Sequence, residues 1–390
     1  MTCTTFLQRS RQEYLPSPFI YILICILLLP ALLFSQQRDD FLRPFFGYYD
    51  SQSLTNAIGR ATVASGQVIP GRSSNPANLG MHRFHYIQTG FQHGSFKGPD
   101  VDKSHTQFGG IYAIMPIKVY QGSLVYGFGI RKDIDFTDAS QVISEKGGIY
   151  ATELGVSVEI SKNLFVGGEF QYLSGTDKLT TTEMDSSSYL NPKYRGFNLS
   201  FGFVHRLSSI VQIGASVQSP TFMWVDEKLT TWHNDSPYQS IEETREYLLR
   251  RPLTFHLGSA VLYKYFNFFY ELEWTDWQDL EFSSDEYYES DIAEINKEIE
   301  DELRPVITNH IGTALHPPWL PVHIYAGYQY MPVQYTGAYT SNKRESLSFG
   351  SSYMLSQQFS IHSSYTRYYW KYSGNEEHYG MFVFGVSLHY

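Results

Sequence analysis

The chain has 390 residues, a formal charge of −10 and a mean hydropathy of −0.28. An acidic chain argues against nucleic acid or an anionic surface as its main partner. Its two cysteines, Cys3 and Cys25, both fall in the first 35 residues, so the rest uses neither disulfides nor thiolate chemistry.

In chain order, the first element is a leader. Arg9 and Arg11 precede the apolar run "FIYILICILLLPALLF" (19–34), which gives way to "SQQRDD". Basic residues, a short apolar core and a polar exit make a secretory signal peptide over 1–35, cleaved near Ser35–Gln36. The run is too short for a membrane-spanning helix and Pro30 breaks it. Export without Arg9, Arg11 and Glu13 takes the charge from −10 to −11.

Next comes "GRSSNPANLG" (71–80). Pro76 fixes its own φ and holds Asn75 extended, so Asn75, Pro76 and Ala77 form a stiff, non-helical corner among small residues. From Met81 onward the periodicity is two. "IYATELGVSVEI" (149–160) puts Tyr150, Leu154, Val156, Val158 and Ile160 on one face against Glu153, Ser157 and Glu159; "HYGMFVFGVSLHY" (378–390) behaves alike. About fourteen such strands are expected, near 83–93, 105–118, 122–132, 148–160, 163–174, 194–206, 210–219, 252–264, 266–277, 306–316, 321–332, 345–355, 358–370 and 378–390. The connections alternate. "VYQG", "SKN", "LSS", "KY", "PPWLP" and "LSQQ" are tight, whereas 94–104, 133–147, 175–193, 220–251, 278–305 and 333–344 read as extended loops. Tyr- and Gly-rich strands with turns of alternating length predict an all-β fold, a transmembrane antiparallel β-barrel of the outer-membrane kind, closed so that every backbone group is satisfied in lipid. Within 283–305, Ile292, Ile295, Ile299 and Leu303 recur at helical spacing among acids, predicting an amphipathic helix that either caps the barrel or lines a groove.

Several local patterns converge on one family. "NPANLG" after "NAIGRATVASG" (56–66) resembles the N-terminal hatch of the FadL/TodX-like outer-membrane transporters of hydrophobic compounds. "RRPLTFHLGSAVLYKYFNFFYELEWTDWQDL" (250–280) and "HIGTALHPPWLPVHIYAGYQYMP" (310–332) are similar to strand pairs of the same family. The resemblance implies an N-terminal hatch over 36–80 that plugs a fourteen-stranded barrel over 81–390. It also implies passive uptake of hydrophobic small molecules, of the long-chain fatty acid or aromatic hydrocarbon type, leaving sideways through a kinked strand into outer-membrane lipid. This chain departs from the family in lacking a clean basic pair in its early strands to hold a carboxylate, which points away from fatty acid itself. Pro116, Gly127 and Gly129 are the residues suited to weaken the wall.

No metal spacing, phosphate loop or nucleophile elbow occurs, so no cofactor and no enzymatic activity are expected. Phe222, Met223 and Trp224 in "TFMWVDEKLTTW" are candidates for the ligand-access route. Arg131, Glu153, Glu159, Glu169, Arg206, His256, Lys264, Glu271 and Glu273 are expected in the lumen, as a mutually paired polar interior. The alternative function is a docking or shuttle subunit for secreted proteins, like the PorV-type component of type IX secretion, since Tyr-rich loops suit protein contacts.

Overall fold

Period-two alternation of β-branched and aromatic residues with small polar ones builds the strands, and short Lys-, Asn-, Ser- and Pro-containing turns reverse them. The computed structural model describes residues 53–66, 74–98, 101–136, 138–139, 143–182, 186–233, 240–336, 343–372 and 375–390, all within one unit, Gly47–Tyr390. The expected leader, residues 36–52 and residues 67–73 lie outside the described residues.

The strands are β1 (Tyr86–Gly98), β2 (Val101–Ile117), β3 (Leu124–Asp135), β4 (Asp138–Ala139), β5 (Ile143–Ser161), β6 (Leu164–Thr182), β7 (Ser186–Leu190), β8 (Lys193–Arg206) and β9 (Val211–Gln218). There follow β10 (Thr221–His233), β11 (Ser240–Arg251), β12 (Thr254–Tyr263), β13 (Phe266–Asp276), β14 (Glu281–Ser283) and β15 (Pro305–Leu315). The last are β16 (Val322–Pro332), β17 (Lys343–Met354), β18 (Phe359–Tyr372) and β19 (Asn375–His389). All join one sheet. An antiparallel circuit runs β1–β2–β3–β5–β6–β8–β9–β12–β13–β15–β16–β17–β18–β19 and closes on itself where Tyr86 of β1 faces His389 of β19. Closure leaves the sheet without an edge.

The remaining strands prolong this circuit. β7 keeps the register of β8 against β6, and β11 keeps that of β12, the interruption falling at Pro252, which has no N–H to pair. β10 carries β9 onward along β8 past Ser219 and Pro220. The segments expected as long loops are thus in large part tall hairpins. In 220–251, for instance, β10 and β11 pair from Thr221 opposite Arg251 to Trp232 opposite Ser240. Beyond Asp226 and Glu246, Thr, Ser, Glu and Lys residues interrupt both faces, so hydrophobic periodicity fades while backbone pairing continues. The tight turns fall where expected, the two-residue pair Lys264–Tyr265 using a positive φ of 49° at Lys264.

Burial divides the two faces of the sheet. Leu154, Val156, Val158 and Ile160 are exposed on the outside of β5, while Glu153 and Ser157 are buried on the inside. The same contrast holds on β19, with Phe382, Phe384 and Leu388 outside and Met381, Val383 and Ser387 inside. A continuous exposed apolar belt of this kind suits lipid, not water. Among the described residues no helix is long and apolar enough to cross a membrane, which has no bearing on crossing by strands.

Inside the circuit lies an inner segment, with helix α1 (Ser53–Ala57) and a 3-10 turn at Pro76–Met81. Leu54, Ala57, Ile58, Ala61 and Val63 form one buried cluster with Ala260, Phe269, Ala314 and Tyr325 of the wall. Helix α2 (Glu289–Glu302) occurs where its spacing predicts. Ile299 and Leu303 are buried, and Asn296 clamps the backbone N–H and carbonyl of Phe282 at 2.8 and 2.9 Å.

Candidate functional site

The inner segment is irregular, so its backbone groups need partners from side chains. Asn75 provides three bonds at once: its amide donates to the carbonyls of Val63 (2.9 Å) and Phe203 (2.8 Å), and its oxygen caps the N–H of Ala77 at 3.0 Å. Pro76 starts the 3-10 turn, where its missing N–H costs nothing, and Ala77 is fully buried against Met81, Phe165 and Val204. Asn78, which the sequence reading passed over, brackets the other strand of the segment, accepting from the Gly66 N–H and donating to the Thr62 carbonyl, both at 2.9 Å.

The wall makes room with glycine. A Cβ at Gly327 would stand 2.0 Å from the Gly59 nitrogen, one at Gly202 would stand 2.2 Å from the Asn75 oxygen, and one at Gly214 would stand 2.3 Å from the Val63 carbonyl. Gly167 faces Gly202, Gly214 faces Gly258, and Gly312 faces Gly327 across the ladders, so these glycines form a shelf on the inner wall. Gly127 and Gly129, expected to weaken the wall, make room for a wall side chain instead: a Cβ on either would strike Tyr112 of β2, and the ladders through both residues are intact. Pro116 also keeps its place opposite Val125.

Glu271 is the central polar anchor. One carboxylate oxygen accepts both the Thr62 and Val63 N–H groups at 2.7 Å, and the other meets His256 Nδ1 at 2.9 Å. Beside it, Glu273 lies 3.4 Å from His310 Nε2, while His310 Nδ1 is 3.0 Å from the Gly59 carbonyl. A second network joins Arg131 to Glu153 at 2.8 Å, Glu153 to Gln171 at 2.9 Å and Gln171 to Asn198 at 2.8 Å. Glu169 is buried on the same inner face of β6. Glu159 pairs with Arg83 at 2.8 Å at the end bearing the short turns, where the Arg206 guanidinium lies 5.1 Å from the Phe165 ring centroid. Lys264 is not in the lumen. It sits exposed at a turn tip, 5.5 Å from the Tyr263 ring centroid, because the strand reverses there. Next to the inner segment, burial together with His389 and Arg83 pushes His82 down to about 4, so it is neutral at neutral pH.

The end bearing the tall hairpins differs. Its inward residues include Met223, Val225 and Leu249, and Tyr368, Tyr379, Met381 and Val383 form a separate apolar cluster. Of the three access candidates only Met223 points inward. Phe222 and Trp224 lie on the outer face, stacked about Phe197 at 5.6 and 5.8 Å, because this stretch is a strand and neighbours in a strand point oppositely.

The ladder between β2 and β3 stops at Gly110 opposite Arg131, and above that point no described residue of β2 pairs with β3. Both strands are irregular here: β1 and β2 shift register at Gly90/Phe91, and β3 and β5 at Lys132/Ile134. Side chains take over from the missing backbone bonds. Asp135 receives Lys132 at 2.7 Å, Gln107 at 2.8 Å and His105 at 2.5 Å. The seam is therefore held by side chains gathered around the Asp135 carboxylate, with Lys132 also donating to the Gln107 side chain across it. Among the described residues no group of three potential ligands stands ready for a metal ion.

No family model matches the chain, and no curated protein does. Solved structures do. A FadL homologue from Pseudomonas aeruginosa aligns with a TM-score of 0.64 at 13% identity, covering 88% of this chain and 99% of that one. The monoaromatic hydrocarbon channel CymD aligns at 0.62 with 12% identity, over 87% and 97%. The toluene transporter TbuX of Ralstonia pickettii aligns at 0.61 with 13% identity, over 89% and 99%. The chain has the FadL/TodX-like barrel fold.

Proposed function

We propose that the protein is an outer-membrane channel for passive uptake of hydrophobic small molecules, and that the seam between β2 and β3 is their way out. The fold it shares with channels and transporters of such compounds supports this reading, and the seam is the observation that carries it. The barrel has fourteen long strands once register continuity joins β7 to β8, β9 to β10 and β11 to β12. The inner segment, with Asn75, Pro76 and Ala77 at its corner, is the hatch, and the end with the short turns is periplasmic. An apolar solute is captured among inward residues such as Met223 and Leu249 at the external end. It meets the polar hatch anchors below, where desolvating Arg131, Glu153 or Glu271 opposes its passage. The route of lower free energy is sideways, past Asp135 and into the hydrocarbon. An aromatic or aliphatic solute fits this path better than a carboxylate does, since Arg131 is already engaged by Glu153. The reading needs no catalytic group or cofactor, and the docking-subunit alternative gains nothing from the structures that match.

The test is to lock the seam. With Gln107 and Asp135 both replaced by cysteine, a short thiol crosslinker should abolish uptake of a radiolabelled aromatic hydrocarbon, and a cleavable one should restore it on reduction. Undiminished uptake through a crosslinked seam would rule the route out. The only native cysteines, Cys3 and Cys25, lie far upstream.

A further inference from the structure

On the outer wall, β5, β6, β8 and β10 change character together. Their outward faces carry an aromatic row, Tyr150, Tyr172, Phe197 and Trp224, and Phe197 stacks with Phe170 and Trp224 at 6.4 and 5.8 Å. A few residues nearer the tall hairpins, the same faces carry Lys146, Lys178, Lys193 and Arg195, all exposed. Register brings them together: Lys146 stands opposite Lys178, Thr176 opposite Lys193, and Ser174 opposite Arg195. A depression of about 990 Å³ lies across this region, lined by Lys146, Lys193 and Arg195 with Tyr150, Tyr172 and Thr176. Like charges directly opposed on a ladder repel. Asp226, which faces Lys193 in register, is held by Arg195 at 2.6 Å, and among the described residues no carboxylate pairs with Lys146, Lys178 or Lys193. Lys132 lines the same depression but is engaged with Asp135.

This cationic patch belongs to a chain of net charge −10, whose acids gather elsewhere, on α2 for example. Its position is as telling as its charge. Cations immediately above a lipid-facing aromatic row match an amphipathic anion, whose acyl chains lie on the rings while its headgroup meets the ammonium groups. We propose that this face is a docking site for a lipid of the outer leaflet carrying phosphomonoesters on its headgroup. Its phosphates would sit among Lys146, Lys178, Lys193 and Arg195, and its chains on Phe170, Phe197 and Trp224. Three ammonium groups and a guanidinium on neighbouring positions of one face suit a dianionic phosphate better than a zwitterionic headgroup. The inference rests on the outer-membrane reading above but not on the hydrocarbon route.

The experiment is native mass spectrometry of the full chain in detergent. It would be offered equal amounts of a bis-phosphorylated diglucosamine lipid, its enzymatically dephosphorylated form and phosphatidylethanolamine. The phosphorylated lipid should be retained at least tenfold over the other two. In K146Q/K178Q/K193Q, checked for folding by its heat-dependent gel mobility, that preference should fall to near parity while hydrocarbon uptake stays unchanged. Equal retention of the phosphorylated and dephosphorylated lipids by the unaltered chain would overturn the site. So would a preference that survives the triple substitution. Displacement of the lipid by millimolar inorganic phosphate would assign the patch to a soluble anion and overturn it as well. Loss of uptake with the lipid preference intact in the unaltered chain would count against the channel reading alone.

Discussion

The lower and upper halves of the barrel solve opposite problems with the same strands. Below, the wall is shaped to a second piece of chain: glycines let the backbone of the inner segment approach, and Asn75, Asn78, Glu271 and His310 answer its polar groups one by one. Above, apolar side chains such as Met223, Leu249 and Met381 gather on the inner face, and the ladder between β2 and β3 gives way to side chains gathered at Asp135. The lower half is fixed by many bonds to the inner segment, whereas the β2–β3 seam above is held by a few side chains. On the channel reading proposed above, rigidity falls where a leak through the lumen would occur, and looseness where a solute would pass.

Five substitutions would break or sharpen that contrast, in order of size. Gly327→Val should be the most severe, since its Cβ would meet the Gly59 nitrogen and both groups are backbone-fixed. Overpacking of this kind costs about 3 kcal/mol or more, and, on the hatch reading proposed above, conductance in planar bilayers should rise as the inner segment is displaced. Glu271→Ala should cost about 2–3 kcal/mol, because it strands two buried N–H groups together. Limited proteolysis of the segment near Thr62 would reveal it, while protection equal to that of the unaltered chain would deny Glu271 its anchoring role. Asn75→Ala should follow at about 1–2 kcal/mol, read as a lower urea midpoint in detergent. Met223→Gln should lower hydrocarbon uptake roughly threefold and Trp224→Gln should leave it unchanged, a pair that probes the two faces of one strand.

Acid offers a milder test of the lower half. His82 titrates near 4 in the folded chain and at an ordinary 6.5 when unfolded, so between these values the unfolded chain binds the proton more readily. The contribution of His82 to stability is therefore complete above about pH 6.5 and is lost as pH falls toward 4. His82→Gln should flatten the slope of the urea midpoint across that window, and an unchanged slope would remove His82 from the account.

Much of this was legible in the sequence wherever one face of a strand was apolar. β5, β12 and β19 follow the expected periodicity closely, and α2 appears where Ile299 and Leu303 place it. The tall hairpins were not legible because polar residues interrupt both faces of their upper parts, which makes the stretch holding Phe222, Met223 and Trp224 read as a loop. The glycine shelf was hidden for another reason. Each glycine is visible alone, but only the cross-strand register aligns Gly167 with Gly202 and Gly312 with Gly327. Asn78 stood within the motif yet gave no local sign that Gly66 would be its partner. Among the charged lumen candidates, Glu271 and Arg131 are buried on the inner face, whereas Lys264 is exposed at a turn tip, where the reversal of the chain cancels strand parity.

The closure of β1 on β19 joins residues about three hundred positions apart. For a free chain, shutting so long a loop costs on the order of 5 kcal/mol of entropy beyond a constant, and the search is slow. The inner segment would shorten that search. It is held by Phe203 in β8, Glu271 in β13 and His310 in β15, so each attachment divides the large loop into shorter ones before the final hairpin meets the first. The segment that fills the finished barrel would then also be the mandrel on which the cylinder is wound.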